Sequence, residues 1–398
     1  MATPVVWVTA SLTTATIIVA SLLIATGSRG EDSKPSSASS RINVQTVATG
    51  LVKPWSLAFL PGNRMLVTER PGRLRIITAD GKISAAVKGV PQVWDSGQGG
   101  LLDVITDRAF ADNNTIYFCF SEKSGSGGRT AVARAKLNAA GNAEPSDATL
   151  SEVNVIFRQD GPLSTGKHYG CRIAQAKDSN LFVTLGEHSI SPKEAQNLGN
   201  HLGKLIRITP EGKAPADNPF VGRSDAKPEI WSFGHRNGQG LAINPANDDV
   251  WEIEHGPRGG DEVNLIGRGN NYGWPVIGYG IDYNGAKIHQ STAQAGMVQP
   301  AKYWVPSIAP SGMTFYTGSL FPEWQGSIFT GGLASKSLVR LKLDGKNVSE
   351  QERLLVGLGE RIRDVRQGPD GALWVLTDGS AGRLLRITPT TKKADKQN

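Results

Sequence analysis

Cysteine, helical periodicity and clustered basic charge are all scarce in this sequence, and each shortage argues against a class of protein. The chain of 398 residues has two cysteines, with no Cys-x-x-Cys pair and no zinc-type spacing. The net charge of +7 comes from basic residues scattered along the chain, which argues against nucleic-acid binding. Hydrophobic residues make up 39% and charged residues 20%, which is typical of a folded protein.

Turn-forming residues are abundant instead, with 47 glycines and 22 prolines. An apolar strand, a turn rich in Pro, Asp, Asn or Gly, and a second strand recur along the chain. Amphipathic helical stretches are few, and the best short candidate is residues 191–204. The recurring β-hairpins start at Ser56, Gly100, Gly170, Gly240, Gly312 and Arg363.

These hairpins, at intervals of about 45 to 70 residues, predict an all-β fold, a six-bladed β-propeller. On the repeats alone, a large β-sandwich or a pair of β domains is the alternative. In a propeller the first strand, 41–48, can pair with the last, 383–389, and close the ring. Segments 186–230 and 256–310 exceed the length of a blade turn, so they are predicted to be long functional loops on one face.

The N-terminal segment 5–27 is apolar and uncharged, and it is about long enough to cross a bilayer. No Lys or Arg precedes it, and Ala25 and Gly27 offer a small-x-small pair for cleavage. A signal peptide and an anchor would both export the rest of the chain, so a periplasmic or secreted location is expected. The predicted parts are a signal peptide or membrane anchor (1–27), a flexible Ser-rich linker (28–41), the propeller (42–390) and a polar tail (391–398).

Export also bears on the two cysteines, Cys119 and Cys171, which lie in apolar strand-like runs. An oxidising compartment permits a disulfide between them. Two buried free thiols fit the sequence equally well, since sequence alone does not place the two Cα atoms.

Polar residues cluster at the predicted strand starts. His168 is a candidate general base because its pKa lies near neutrality, although a lone histidine is more often structural. His235, Arg236, Asn237 and Gln239 lie among glycines that let the backbone approach a ligand closely. The turn 255–262 exposes the carbonyls of Gly256 and Pro257 beside Asp261 and Glu262, a set that suits a hard cation such as calcium.

Arg361 and Arg363 stand two residues apart, so a strand directs both side chains to one face. Two like charges side by side repel unless an anion lies between them. A propeller brings the starts of its blades to one face, and a pocket for a polyanionic planar ligand would form there. Its expected members are Gln98, His168, Arg236, Asn237, Lys336, Arg361 and Arg363.

Taken together, "PEIWSFGHRNGQGLAINP", "WEIEHGPRGGDEVNLI", "NNYGWP" and "ERIRDV" resemble the soluble quinoprotein glucose/sorbosone dehydrogenases, in their aldose sugar dehydrogenase branch. The resemblance covers about residues 45–390. It implies a six-bladed propeller that binds pyrroloquinoline quinone (PQQ) and calcium, oxidises aldoses at C1 to the lactone, and passes electrons to a quinone, dye or cytochrome.

The resemblance also implies roles for single residues. His168 matches the base that takes the anomeric hydroxyl proton while a hydride passes from sugar C1 to PQQ C5. Arg236 and Asn237 match residues near the quinone oxygens. Gln98, Lys336, Arg361 and Arg363 match further PQQ contacts. The carbonyls of Gly256 and Pro257 match ligands of the PQQ-bound calcium, and those of Glu262 and Tyr272 match donors to a second, structural calcium.

The chain departs from the family pattern at three places. Lys167 precedes the candidate base where some relatives carry an acid, and a lysine there tends to lower the pKa of His168. Gly238 replaces the proline of "GHRNPQG" and is expected to loosen the turn. The "GDRG" region reads "GEHSISPKEAQ", which puts Glu187 and Gln196 in doubt as ligand contacts.

Two other functions are alternatives. Some propellers are non-catalytic extracellular binding modules, but such a module need not keep His168 together with the Lys336, Arg361 and Arg363 set. A calcium-dependent propeller lactonase needs axial carboxylate and Asn ligands, which the sequence does not indicate. The expected partners are therefore a small aldose and an external electron acceptor, and no nucleic acid. Membrane contact is expected only through the N-terminal segment. The expected assembly is a monomer or a homodimer.

Overall fold

A computed structural model describes residues 41–139, 147–161 and 163–390. The predicted signal or anchor segment, nearly all of the linker and the C-terminal tail lie outside these ranges. None of the helices within the described ranges has both the length and the apolar character of a membrane span.

The described chain forms six antiparallel sheets, which are the blades of the predicted propeller. The first blade has β2 (Pro54–Leu60), β3 (Arg64–Glu69) and β4 (Arg73–Ile77). The second has β5 (Leu101–Thr106), β6 (Thr115–Ser124), β7 (Gly127–Asn138) and β8 (Thr149–Arg158). The third has β9 (Gly170–Gln175), β10 (Leu181–Leu185), β11 (Lys204–Ile208) and β12 (Ile230–Phe233).

The fourth blade has β13 (Gly238–Ile243), β14 (Val250–Glu254), β15 (Asp261–Ile266) and β16 (Lys302–Trp304). The fifth has β17 (Pro310–Phe315), β18 (Ile328–Gly332), β19 (Ser337–Asp344) and β20 (Asn347–Leu354). The sixth has β21 (Ile362–Gln367), β22 (Leu373–Thr377), β23 (Gly382–Pro389) and β1 (Ile42–Leu51). Helical structure in the described ranges comes in short pieces, namely α1 (Phe110–Asn113) and 3-10 turns such as Pro192–Gln196, Pro322–Trp324 and Val356–Leu358.

Each predicted hairpin forms the first two strands of a blade, so the six-bladed prediction is confirmed. The predicted ring closure is also present. β1 pairs antiparallel with β23, from Ile42 opposite Pro389 to Leu51 opposite Gly382. The two ends of the propeller therefore belong to the same blade, and its outermost strand comes from the start of the chain.

Strand β6 explains why the run "IYFCF" is continuously apolar. Successive strand residues point to opposite faces of a sheet. Phe118 and Phe120 pack in a cluster with residues of the first blade, such as Leu66 and Ile76. Tyr117 and Cys119 pack in another cluster with residues of the third blade. Both faces of this blade are buried between neighbours, so the usual alternation of polar and apolar residues disappears.

The open choice for the two cysteines is resolved in favour of the disulfide. Cys119 on β6 and Cys171 on β9 are bonded, with their Cα atoms 5.6 Å apart and a separation of 52 residues in the sequence. Both are fully buried. The bond links the second blade to the third, next to the strand start that follows His168.

Two sequence predictions about the long segments were wrong in part. Segment 186–230 contains β11 and the first residue of β12, and segment 256–310 contains β15, β16 and the start of β17, so neither is wholly a loop. The helix expected over 191–204 is only the 3-10 turn Pro192–Gln196. Pro192 begins this turn, and the asparagine and glycine that follow it favour loop conformations.

Charged side chains fill the centre of the ring. Arg172 is fully buried and lies 3.0 Å from Asp364 and 3.3 Å from Asp103. Arg366 lies 3.0 Å from each of the same two carboxylates. We call these four residues the central ion network. It carries no net charge, and it joins the second, third and sixth blades because each of these blades contributes a member.

Candidate active site

The starts of the inner strands surround a cavity of about 210 Å³ that adjoins the central ion network. The network supports its wall, because Arg172 donates to the carbonyl oxygens of Gln239 and Arg363 at 2.7 and 3.3 Å, and its guanidinium lies 3.9 Å from the ring centre of Trp55. The cavity lining is Trp55, Arg70, Gln98, Leu102, Tyr169, Gly170, Asn237, Gln239, His255, Ala309, Leu333, Arg361, Arg363 and Asp378. The structure thus brings together four predicted cofactor contacts, Gln98, Asn237, Arg361 and Arg363.

The paired arginines have an anion between them that the sequence did not reveal. Asp378 Oδ2 lies 2.9 Å from Arg361 Nε and 3.2 Å from Arg363 Nη2. Burial lowers the pKa of Arg363, and the Asp378 carboxylate opposes that effect. One carboxylate neutralises only one of the two guanidinium charges, so the pair keeps a positive charge beside the cavity.

His168 precedes the cavity-lining residues Tyr169 and Gly170, and its side chain is buried. Its Nδ1 lies 2.5 Å from Glu187 Oε1 and 2.9 Å from Ser189 Oγ. Burial lowers the pKa of His168, while the hydrogen bond to Glu187 raises it. Burial has the larger effect, so the ring is neutral near pH 7. With Nδ1–H donating to the Glu187 carboxylate, the lone pair is on Nε2, as a general base requires.

The main chain around His168 is also held by hydrogen bonds, as its imidazole ring is. His168 adopts a left-handed conformation, with φ of 48°. Its backbone N–H donates to Gln98 Oε1 at 2.8 Å. Two residues later, the N–H of Gly170 donates to Asn237 Oδ1 at 3.1 Å. Two predicted cofactor contacts, Gln98 and Asn237, therefore also hold the backbone around the candidate base.

Glu187 and Gln196, which the sequence left in doubt as ligand contacts, have different positions. Glu187 contacts the candidate base directly. Gln196 lies elsewhere: its side chain exchanges hydrogen bonds with the Asn271 amide and donates to the Trp274 carbonyl at 2.7 Å. Lys167 is exposed, and its charge lowers the pKa of His168 in the direction that the sequence predicted, although less strongly than Glu187 raises it.

Arg236 lies beside a second, smaller pocket that adjoins the cavity at His255. Its Nη1 donates to the carbonyl of Gly256 at 2.8 Å and to that of His255 at 3.1 Å. The predicted calcium donors Gly256, Pro257, Glu262 and Tyr272 all line this pocket. A calcium ion at Gly256 would share that carbonyl oxygen with the Arg236 guanidinium.

Asp261, which the sequence placed with the metal turn, braces the loop. Its Oδ1 accepts from the N–H of Gly256 at 2.9 Å. Its Oδ2 accepts from Ser307 Oγ and from the N–H groups of Ile308 and Ala309, at 2.5 to 2.9 Å. These bonds commit both carboxylate oxygens to shaping the turn.

Lys336, unlike the other predicted cofactor contacts, lines neither the cavity nor the adjoining small pocket. It is exposed in the turn between β18 and β19 and is absent from the lining, although Leu333 of the same turn lines the cavity. The prediction rested on its residue type and on the family resemblance. The turn, however, leaves its side chain in solvent.

The expectation that Gly238 loosens the turn was wrong. Gly238 begins β13, and a Cβ at this position would overlap Glu252 Oε1 and would lie 2.9 Å from Thr184 Cβ. The glycine therefore makes room for the side chain of a buried glutamate on the neighbouring strand.

Several features of the site were not predicted from the sequence, among them the pairing of Glu187 with His168. Glu187 and Asp378 act on predicted site residues, and Trp55, Tyr169 and His255 line the cavity. His255 could have been found from the sequence, since it begins the metal turn next to Gly256. Burial lowers its pKa to about 3, so it is neutral and donates from Nε2 to the Pro310 carbonyl at 2.5 Å.

The residues present fit PQQ, a planar tricarboxylate. The cavity has three arginines and one acid in its lining, with Trp55 and Tyr169 as aromatic surfaces. The Nε atoms of Arg236 and Arg363 are buried without a hydrogen-bond partner among the described residues. Unpaired guanidinium donors at a cavity suit carboxylate or quinone oxygens. The small pocket offers backbone carbonyls and the Glu254 and Glu262 side chains, which suit calcium.

The fold and the site together define a β-propeller with an arginine-rich cavity at the starts of its inner strands. Over residues 51–386 the sequence matches the family described as glucose / sorbosone dehydrogenase, and the chain belongs to that family. It is 45% identical over 352 residues to aldose sugar dehydrogenase YliI of Escherichia coli, covering 87% of this chain and 93% of that protein. The chain is therefore a sugar dehydrogenase by family.

Solved structures agree with this assignment. The apo form of the soluble aldose sugar dehydrogenase of Escherichia coli superposes with a TM-score of 0.84 at 44% identity, covering 88% of this chain and all (100%) of the other. The PQQ-bound aldose sugar dehydrogenase of Streptomyces coelicolor superposes with a TM-score of 0.71 at 30% identity, covering 89% and 100%.

Proposed function

We propose that this chain is a PQQ- and calcium-dependent aldose dehydrogenase that oxidises the sugar at C1 to the lactone and passes the electrons to an external acceptor. The observation that carries the proposal is the contact of His168 with Glu187 beside an arginine-rich cavity. When bound, PQQ accepts the two electrons and the hydrogen of C1, and calcium polarises its quinone.

The protein residues supply position and charge. His168 Nε2 takes the proton of the anomeric hydroxyl, and Glu187 stabilises the imidazolium that results. Arg236 lies within electrostatic reach of His168, so it favours negative charge developing on oxygen nearby. Arg361, Arg363, Gln98 and Asn237 hold the cofactor through their positions around the cavity.

The disulfide supports an exported location, which we propose to be the periplasm or the extracellular space. Disulfides persist in oxidising compartments and are uncommon in the cytosol. The bond between Cys119 and Cys171 is buried between two blades, so it is structural.

Dye-linked oxidation by purified residues 42–398 tests the proposal. We expect aldose oxidation with calcium only when PQQ is added, together with a lactone product. The variant His168→Ala should bind PQQ nearly as the wild type does, by absorbance titration, and turn over far more slowly. A lack of activity across a panel of aldoses, with no spectral change on adding PQQ, would favour a non-catalytic binding module.

A further inference from the structure

Next to the Arg236 turn, one face of the fourth blade holds a cluster of buried acids. Glu252 and Glu254 on β14 lie opposite Asn264 and Glu262 on β15. The imidazole of His235, from the connection between the third and fourth blades, lies against them. We call His235, Glu252 and Glu254 the buried triad. All three are buried, with side-chain exposures of 1 to 5%.

Among the described residues, Glu252 has only the His235 imidazole beside its carboxylate, and the amide oxygen of Asn264 has no partner. Glu252 Oε2 lies 2.9 Å from His235 Nδ1, but neither Glu252 oxygen accepts a well-formed hydrogen bond from the described residues. On the adjacent strand Asn264 Oδ1 is also buried without a partner among those residues, while its Nδ2 lies 3.1 Å from Glu254 Oε1. Buried carboxylate and amide oxygens of this kind cost free energy unless something binds them.

The described residues supply too little positive charge for this cluster. Glu252, Glu254 and Glu262 bring three carboxylates together with one imidazole. The His235 Nδ1–H would have to serve Glu252 at 2.9 Å and Glu254 at 3.2 Å at once. The nearby Arg236 guanidinium donates instead to the carbonyls of His255 and Gly256. Either protons or a cation must supply the missing charge.

The ligand atoms of the buried triad are close enough together to share one metal ion. The three atoms lie within 4.8 Å of one another. With metal–ligand bonds of about 2.1 Å, separations such as 2.9 and 3.2 Å correspond to ligand–metal–ligand angles of roughly 90 to 100°. The other ring nitrogen, His235 Nε2, lies 2.8 Å from Ser232 Oγ, an outer partner of the kind that orients metal-bound histidines.

We propose that His235 Nδ1 and one carboxylate oxygen from each of Glu252 and Glu254 bind a first-row divalent metal ion, Zn²⁺ or Mn²⁺, in a closed structural site. An imidazole with two carboxylates suits these ions, whereas calcium prefers an all-oxygen set. The amide oxygen of Asn264, which has no hydrogen-bond partner among the described residues, is available as a further metal ligand. The ligand set differs from the carbonyls of Gly256, Pro257, Glu262 and Tyr272, to which the family resemblance assigns calcium, although Glu254 also lines that pocket.

The buried triad is also tied to a departure from the family pattern. Glu252 Oε1 occupies the space that a Cβ at Gly238 would need, so the family's proline is incompatible with this position of Glu252. A metal here would fix His235, which stacks on Tyr272 with ring centres 4.7 Å apart and precedes Arg236 and Asn237. It would thereby hold the turn that carries two candidate site residues.

Metal analysis of the purified chain tests the proposal without reference to sugar oxidation. The chain is expressed with trace Zn²⁺ and Mn²⁺ and purified without chelator, and each element is counted by mass spectrometry. We expect about one equivalent of one transition metal per chain, apart from any calcium. Glu252→Gln should lower that content at least tenfold and leave calcium unchanged. Glu352→Gln, at a buried glutamate on the fifth blade, is the matched control and should keep the metal.

A second experiment tests the proposal even if the Glu252→Gln variant fails to fold. Wild-type chain is unfolded with chelator, then refolded with Zn²⁺, Mn²⁺, Ca²⁺ or no metal, and Tm is measured. We expect Zn²⁺ or Mn²⁺ to raise Tm above the calcium and metal-free values. Co²⁺ refolding should add visible absorption in the wild type. Less than a tenth of an equivalent of transition metal with equal Tm values, or full metal content in Glu252→Gln, would overturn the proposal and leave protons as the neutralising charge.

Discussion

The Oε1 atom of Glu187 lies 2.5 Å from Nδ1 of His168, so the candidate base has a carboxylate partner 19 residues further along the chain. This contact supplies the negative charge that some relatives carry at the position of Lys167. Lys167 and Glu187 act on the pKa of His168 in opposite directions, and the effect of Glu187 is the larger.

Replacing Glu187 by glutamine should separate the effect of its negative charge on His168 from its effect on the orientation of the His168 ring. In Glu187→Gln the amide oxygen can still accept a hydrogen bond from Nδ1 of His168, but the negative charge that favours the imidazolium is lost. The pKa of His168 should therefore fall further, and the acid limb of kcat/KM should move to lower pH. We expect kcat to fall about 10- to 100-fold with little change in KM.

Glu187→Ala should be less active than Glu187→Gln, because the ring also loses its orienting partner. The exposed Glu211→Gln serves as the control and should match the wild type. A pH profile that is unchanged in Glu187→Gln would remove Glu187 from the role of partner to the base.

Asp378→Asn should raise the affinity for a carboxylate ligand. The substitution leaves both Arg361 and Arg363 without their shared anion, so the cavity becomes more positive. We expect the Kd for PQQ to fall by about tenfold at low ionic strength and the gain to shrink in salt. The free energy of unfolding should drop by about 1–3 kcal/mol, because two neighbouring cations, one of them buried, then repel.

The opposite change, Arg361→Ala with Arg363→Ala, should weaken PQQ binding, which the same titration measures. Asp370→Asn is a suitable control, because Asp370 pairs with Arg386 and does not line the cavity. Equal PQQ affinities in the wild type, the double variant and the control would place the cofactor elsewhere.

Gly238→Ala should destabilise the fold through its contact with Glu252. The new methyl group would overlap Glu252 Oε1, and overpacking of this kind costs about 1–3 kcal/mol. Combining it with Glu252→Ala should recover part of the loss, since Thr184 Cβ still stands close. Denaturant unfolding of both single variants and the double variant gives the coupling energy, and strict additivity would contradict the contact.

Removing the disulfide with Cys119→Ala and Cys171→Ala should lower the free energy of unfolding by about 2–4 kcal/mol. The bond joins residues separated by 52 positions, and losing it frees the unfolded chain. Wild-type protein in reductant should unfold like the double variant once the buried bond is reduced. Equal stability of the oxidised wild type and the double variant would show that the bond contributes nothing.

The fold could largely be predicted from the sequence because it depends on local signals. A turn such as Pro369-Asp370-Gly371 and the apolar strand after it specify a hairpin without reference to the rest of the chain. The outer strands were harder to predict. β11 and β15 lie inside segments that were predicted to be loops, since their neighbours in sequence are rich in glycine, asparagine and proline.

The site could be predicted only in part, because its contacts are non-local. Arg361 and Arg363 stood out as an unusual pair, yet Asp378, which lies between them, is separated from them by a whole hairpin. Glu187 similarly follows His168 after two strands. Sequence patterns show which groups need partners, whereas the blade geometry decides which partners reach them.

The pairing of β1 with β23 also bears on the order of events when the protein is made. The sixth blade needs Ile42 and Pro389 at once, and these are separated by nearly the entire propeller. A ribosome-bound chain that has not yet released its last strand therefore has at most five complete blades and an open seam. Ring closure is then a late and long-range step, which would keep the ring open until β23 has been synthesised and leave time for the proposed export.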